Sequence, residues 1–290
     1  MTRNIKIMSI LNITPDSFSD GGLFLEKNSA LEHVKKSMQD GADIIDIGAE
    51  STAPQNSAIS ADEEWHRIKN IIPDIFSYIQ EYNSQNTNNL KNDIIISLDS
   101  YKSVIWKKFL DSAQKNNFNL NNIILNDVSG LAIDYSEKIE IIKKYTKLYT
   151  NLKICIMFDK NKTHRELTSK NIISEIINFF DTIILTFQIE KINIKHIILD
   201  PGMGGFLSKN SDVSFSLIKQ LKLLRDFANT NNISDILIGT SRKSFLSEIT
   251  ADNKKVLASV FTSVECIQNG ANIIRMHDTK SMKKGLNYFI

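Results

Sequence analysis

The sequence predicts an α/β protein built as a single (β/α)8 TIM barrel, and three observations lead there. Short runs rich in Ile and Val recur eight times, longer stretches with helical spacing lie between them, and no shift in composition marks a second domain within residues 1–290. The length fits a barrel, which commonly runs to about 250 residues as one unit. Apolar residues make up 42% and charged residues 23%, a balance near the average of soluble globular proteins that suggests neither disorder nor a membrane protein.

The expected strands, in order, are Ile5–Ile13, Ala42–Ala49, Ile94–Asp99, Ile123–Val128, Ile154–Phe158, His196–Asp200, Ile236–Thr240 and Asn272–His277. Each is short and nearly continuously apolar rather than alternating, as strands covered on both faces of a parallel sheet must be. Helical spacing falls between them at Ala30–Asp40, Glu64–Tyr82, Val104–Ala113, Ile172–Ile189, Phe215–Ala228 and Val256–Gln268. The stretch NSQNTNNLKND at 83–93 reads as a solvated loop.

Lys and Arg number 35 against 33 Asp and Glu, so the net charge of +2 predicts neither a nucleic-acid surface nor a membrane patch, and any anion site must be local. Cys155 (KICIMF) and Cys266 (VECIQN) sit in apolar runs and are expected to be buried, reduced thiols. His33, His66, His164 and His196 lack metal-ligand spacing and are expected to be structural or exposed. The opening MTRNIKIMSILNI is too short to span a bilayer and has no small-residue cleavage site, which gives the expectation of a cytoplasmic protein.

Polar residues gather where the strands end. They are Asn12 with Thr14–Asp20, Glu50–Thr52, Asp99, Asn126–Asp127, Asp200, Ser241–Lys243, and Arg275 with His277. In a barrel those ends share one face, where barrel enzymes place their chemistry. LNITPDSFSDGG after the first strand is rich in turn formers and side-chain oxygens, a composition suited to a substrate-covering loop. Glu50, Ser51 and Thr52 before Pro54 offer hydroxyl and backbone donors to an oxyanion. Asp99, Asn126 and Asp200 supply two carboxylates and an amide, groups able to read the donor-rich, guanidine-like edge of a fused heterocycle.

GTSRKSF places Ser241, Arg242, Lys243 and Ser244 at an expected strand-to-helix junction, where amides at a helix start add to the cations in holding an anion. Arg275 and His277, two apart on the last strand, should point to the same side. No glycine-rich nucleotide loop is present, since DPGMGG lacks the required third position.

Taken together, LNITPDSFSDGG, GAESTAP, SLDS, LNDVSG, LDPGMG, TSRKSF and IIRMHD resemble, in order and spacing, the dihydropteroate synthase family, and the likeness covers nearly the whole chain. The resemblance implies that 4-aminobenzoate displaces pyrophosphate from a 6-hydroxymethyl-dihydropterin diphosphate. It implies that Asp99, Asn126, Asp200 and Lys243 bind the pterin, and that Asn12 holds a Mg²⁺ bridging the diphosphate, with Thr52, Arg275 and His277 around it. Guanidinium, imidazolium and metal would then stabilise the departing charge. Asp16 and Asp200 are expected to stabilise a cationic methylene. Phe18 and Pro54 would flank the benzoate ring and Ser244 would take its carboxylate. The family also suggests a homodimer through helices near the chain end.

Three departures stand out. Ala53 replaces a usual Arg, Phe158 replaces a usual His, and Gly205-Phe206-Leu207-Ser208 is about two residues longer than usual, resembling sulfonamide-insensitive members in which a Phe lies beside the amine pocket. Two alternatives remain at this stage: a methyltetrahydrofolate:corrinoid methyltransferase, which needs no pyrophosphate machinery, and a pterin-binding protein without synthase activity, suggested by Ala53 and Phe158.

Overall fold

In a computed structural model, which describes residues 4–14, 22–50, 58–85, 93–163, 166–251 and 254–289 (backbone only for 22–27 and 162), the chain alternates strand and helix throughout. The order is β1 (Lys6–Asn12), α1 (Gly22–Gln39), β2 (Ile44–Gly48), α2 (Ala61–Ile68), α3 (Ile72–Gln85), β3 (Ile95–Asp99), α4 (Ser103–Lys115), β4 (Ile123–Asp127) and α5 (Tyr135–Leu148). It continues with β5 (Lys153–Met157), α6 (Ile172–Ile189), β6 (Ile197–Asp200), α7 (Ser211–Thr230), β7 (Asp235–Ile238), α8 (Lys255–Gln268), β8 (Ile273–Met276) and α9 (Thr279–Phe289). Every neighbouring pair of strands is parallel, and β8 returns to β1, so the sheet closes into an eight-stranded barrel.

Closure sorts each strand into two faces with a period of two. Outward residues such as Ile7 and Leu11 on β1, Ile45 and Ile47 on β2, and Ile154 and Ile156 on β5 join one core with the helices. Burying each such side chain contributes roughly 1.5–3 kcal/mol. Inward residues change character with height. Met8, Ile44, Ile124, Cys155, Ile198, Leu237 and Ile273 form an apolar plug near the strand starts. Above it the inward positions become Asp46, Ser97, Asn126, Asp200 and Arg275. The barrel is therefore dry below and polar above, and the polar half opens at the strand ends.

Both cysteines are free and buried, as expected. The many asparagines serve local turns: Asn119 and Asn193 cap the 3-10 turns that feed β4 and β6, and Asn210 caps α7 by accepting from Asp212 N–H. The single helix expected over Glu64–Tyr82 is two helices. Proline lacks an N–H and crowds the carbonyl four residues back, so the chain cannot stay helical through Lys69 to Ile71 ahead of Pro73. Helix α6 is long and apolar enough to cross a membrane by length and composition, but Ile172, Ile176, Phe180 and Phe187 on it are among the residues buried inside the protein.

Candidate active site

Strand register builds the first part of the site. Asn12, Gly48, Asp99 and Asn126 are consecutive partners across β1, β2, β3 and β4, so these four residues form one row at the barrel mouth. A Cβ on Gly48 would make ordinary van der Waals contact there, 3.4 Å from Asp99 Cβ, 3.6 Å from Asp99 Oδ2 and 3.8 Å from Asn12 Oδ1, so glycine keeps space open rather than relieving a clash. The bare backbone leaves a gap between a carboxamide and a carboxylate.

One layer below, Arg275 ties three strands together. Its Nε donates to Asp46 Oδ2 at 2.6 Å and its Nη2 donates to Asp99 Oδ2 at 2.6 Å. Asp46 also accepts a long contact from Asn126 Nδ2 at 3.5 Å. Asp46 is fully buried, and such a charge is tolerable only because a cation meets it. Burial pushes Asp99 up to about 7 despite Arg275, with Asp46, Glu64 and Asp200 adding repulsion. Among the described residues Asp99 Oδ1 and Asn126 Oδ1 are buried without a hydrogen-bond partner, an arrangement that costs free energy unless a ligand supplies donors.

The opposite wall comes from the loops after β6 and β7. Asp200 Oδ1 accepts from Gly202 N–H at 2.8 Å, and burial still raises its carboxyl to about 6. Arg242 adopts a left-handed φ of 56°, held by its N–H to Ser259 Oγ at 3.1 Å, which turns the chain so that Lys243 enters the cavity. Lys243 Nζ lies 4.3 Å from the centre of the Phe206 ring. Burial, followed by Arg275, lowers the Lys243 amine to about 8.

These groups enclose a cavity of about 290 Å³ whose lining includes Asp99, Asn126, Asp200, Phe206, Lys243, Arg275 and His277. The ring of His277 is fixed by Ser241 Oγ at 2.9 Å from Nδ1. It differs from the imidazolium expected from sequence: burial and the cations Arg242, Arg275 and Lys243 lower its pKa to about 4, so the ring is neutral near pH 7. Arg275 and His277 do reach the same cavity, yet the guanidinium turns inward to the carboxylates.

Ser244 is exposed and outside the cavity lining, and it begins a 3-10 turn of five residues, Ser244–Glu248, with α8 starting only at Lys255. The helix start expected there is thus too short to align many peptide dipoles. Phe158 is not a cavity residue either: it is buried on the outward face, its ring 5.4 Å from that of Phe179, while Met157 lines the cavity. Asp16, Phe18, Thr52, Ala53 and Pro54 lie outside the described residues.

Among the described residues no group of three His, Cys, Asp or Glu is placed to cage a metal. Mg²⁺ does not need one, because it keeps waters and takes phosphate oxygens alongside one or two protein oxygens. Asn12 Oδ1, facing the uncovered side of Gly48, fits that limited demand.

Sequence reasoning missed Asp46, read as part of an apolar strand, and the clasp formed by Lys102. The Lys102 ammonium meets Glu50 Oε2 at 2.5 Å, Glu64 Oε2 at 2.7 Å and the Ile59 carbonyl at 2.8 Å. Glu50, expected in an oxyanion loop, is instead a buried post that also accepts from Tyr101 Oη at 2.8 Å. The available signal for Asp46 was an acid inside IIDIG two residues from Gly48, hence on the same face.

A closed parallel barrel with carboxylates, a lysine, an arginine and a histidine converging at its strand ends defines a barrel enzyme with a polar, anion-capable mouth. The sequence profile of the pterin binding enzymes matches residues 8–277. Dihydropteroate synthase type-3 from Escherichia coli is 30% identical over 97% of each chain, and dihydropteroate synthase from Clostridium beijerinckii is 30% identical over 94% of this chain and 88% of that one. The solved dihydropteroate synthase from Clostridium difficile, obtained in the presence of pteroic acid, is 30% identical and superposes over 100% of both chains with a TM-score of 0.79. The chain belongs to the pterin binding enzyme family, as a transferase among the dihydropteroate synthases.

Proposed function

We propose that this enzyme condenses 6-hydroxymethyl-7,8-dihydropterin diphosphate with 4-aminobenzoate to give 7,8-dihydropteroate and pyrophosphate. The observation that carries the reading is the pair of buried, unpartnered oxygens, Asp99 Oδ1 and Asn126 Oδ1, facing Asp200 and Lys243 in one cavity. Asp99 and Asp200 accept from the amino and ring N–H donors of the pterin, Asn126 completes the edge, and Lys243 donates to a ring acceptor. The Clostridium difficile relative, solved in the presence of pteroic acid, supports a pterin as the ligand class.

In the transfer, the bond between the pterin methylene and the diphosphate oxygen breaks first and its electron pair leaves with pyrophosphate. Arg275, His277 and Thr52 receive the leaving charge; Asn12 would hold Mg²⁺, which would supply charge neutralisation to the diphosphate. Asp16 and Asp200 stabilise the cationic methylene. The aminobenzoate nitrogen then forms the C–N bond and releases a proton to solvent. Phe18 and Pro54 flank the benzoate ring and Ser244 takes its carboxylate. Phe206, whose ring sits over Lys243, sets the discrimination between aminobenzoate and sulfonamides, giving reduced sulfonamide sensitivity. The working unit is a homodimer in the cytoplasm.

The test follows isotopically labelled 4-aminobenzoate into 7,8-dihydropteroate. Replacing Ser244 with Phe should raise the aminobenzoate KM more than the pterin KM, and equal effects on both would remove Ser244 from the amine pocket.

A further inference from the structure

A second cavity, of about 300 Å³, lies behind His277, between α1 and the start of α9. Its walls carry His33 and Lys36 from α1, Arg242 from the loop after β7, and Thr279 and Lys280 from the first turn of α9. Arg242 and His277 line both this cavity and the active site, so the imidazole is a shared partition.

Two of the residues lining this space each carry a buried polar atom with no hydrogen-bond partner among the described residues. Thr279 is only 4% exposed, yet its Oγ1 is unpartnered, and His33 Nε2 is buried and likewise unpartnered while the rest of the ring is tied to the Ile10 backbone. Buried polar atoms are normally satisfied, so both point to a ligand. The surrounding charge fixes its sign. Lys36, Arg242 and Lys280 outnumber Asp40 and Asp278, and the Asp278 carboxylate is already engaged by Ser281 N–H at 2.8 Å, capping α9. The positive end of the α9 dipole faces the same space.

We propose that this cavity is a second anion site, separate from the pterin cavity, which takes inorganic phosphate or diphosphate between Thr279, Lys280, Lys36 and His33. Thr279 Oγ1 donates to an anion oxygen and the lysines and Arg242 supply the charge, while His33, whose pKa burial lowers, stands beside the anion as a neutral ring. If the proposed transfer is correct, the released diphosphate has a place to move one step away from the reacting carbon, past His277. The site itself does not depend on that reading.

The experiment is a titration of the purified enzyme with inorganic phosphate, then with pyrophosphate, followed by the NMR ring resonances of His33 and His277. His33 belongs only to the second cavity. The expected result is a saturable shift of the His33 resonances, weakened on the order of tenfold in Thr279→Val and Lys280→Gln, with the His277 response retained. Movement of His277 alone would place the anion solely in the active-site mouth and overturn the proposal, as would no response from either ring. Product formation, assayed separately in the same variants, reports on the transfer reaction and distinguishes its failure from that of the second site.

Discussion

Arg275 on β8 donates through Nε to Asp46 on β2 at 2.6 Å, joining two strands that are 229 residues apart in sequence. The same guanidinium holds Asp99 Oδ2, so one cation orders the two carboxylates beneath the proposed pterin position. Removing Asp46 takes away one of the two carboxylates that offset the Arg275 charge and leaves its Nε–H without an acceptor. Asp46→Ala should cost on the order of 3 kcal/mol in urea unfolding and weaken pterin binding, since Asp99 loses its orientation. An unchanged unfolding midpoint would show that Arg275 finds another partner.

Acidity gives a second prediction. Asp99 and Asp200 are raised to about 7 and about 6 from an ordinary value of 3.8. Between the ordinary value and the raised one the folded chain binds more protons than the unfolded chain, so these two groups contribute stability that declines as pH rises through that window. Pterin binding runs the other way, because the carboxylates accept its N–H donors best when ionised. Affinity should increase from pH 5.5 to 7.5, and Asp99→Asn should flatten part of both trends. Calorimetric titration of the pterin across that range checks the first, and urea unfolding across pH 4.5–7.5 the second.

Lys138 and Asp127 are both fully buried and meet at 2.7 Å on the outward side of β4, where Asp127 also accepts from Ser129 and Leu131 N–H. Lys138→Met should destabilise the fold by about 3 kcal/mol, the cost of stranding a buried carboxylate, while leaving KM values unchanged. A large change in KM at constant stability would assign this pair to the site instead.

Phe206 covers the Lys243 ammonium at 4.3 Å. Phe206→Ala should remove about 1–2 kcal/mol of cation–π stabilisation and open the amine side of the cavity, so inhibition by a sulfonamide should strengthen while the pterin KM moves little. Unaltered inhibition would take Phe206 out of drug discrimination.

Much of this was readable in the sequence because parallel strands buried on both faces are necessarily apolar runs, and all eight strands fall within two residues of the expected limits. The set proposed to read the pterin, Asp99, Asn126 and Asp200, was readable because each lies at the end of its strand or one residue before it. Asp46 was not, since within IIDIG it looks like one polar residue in a core strand, and its partner Arg275 lies at the other end of the chain. Helix α5, whose YSEKIEIIKKYTKL interleaves its apolar residues with charged ones, was not singled out, and the break before Pro73 was overridden by good periodicity on both sides. The Lys102 clasp was invisible because it depends on which residues β2, α2 and β3 bring together.

Pyrophosphate release by the purified protein, with dihydropterin diphosphate, 4-aminobenzoate and Mg²⁺ supplied together or singly omitted, tests the synthase assignment most directly. Release that requires both substrates and the metal is the predicted result. Saturable pterin binding with no release under any combination would contradict it, and would leave a pterin-binding protein in which Ala53→Arg is the substitution to examine next.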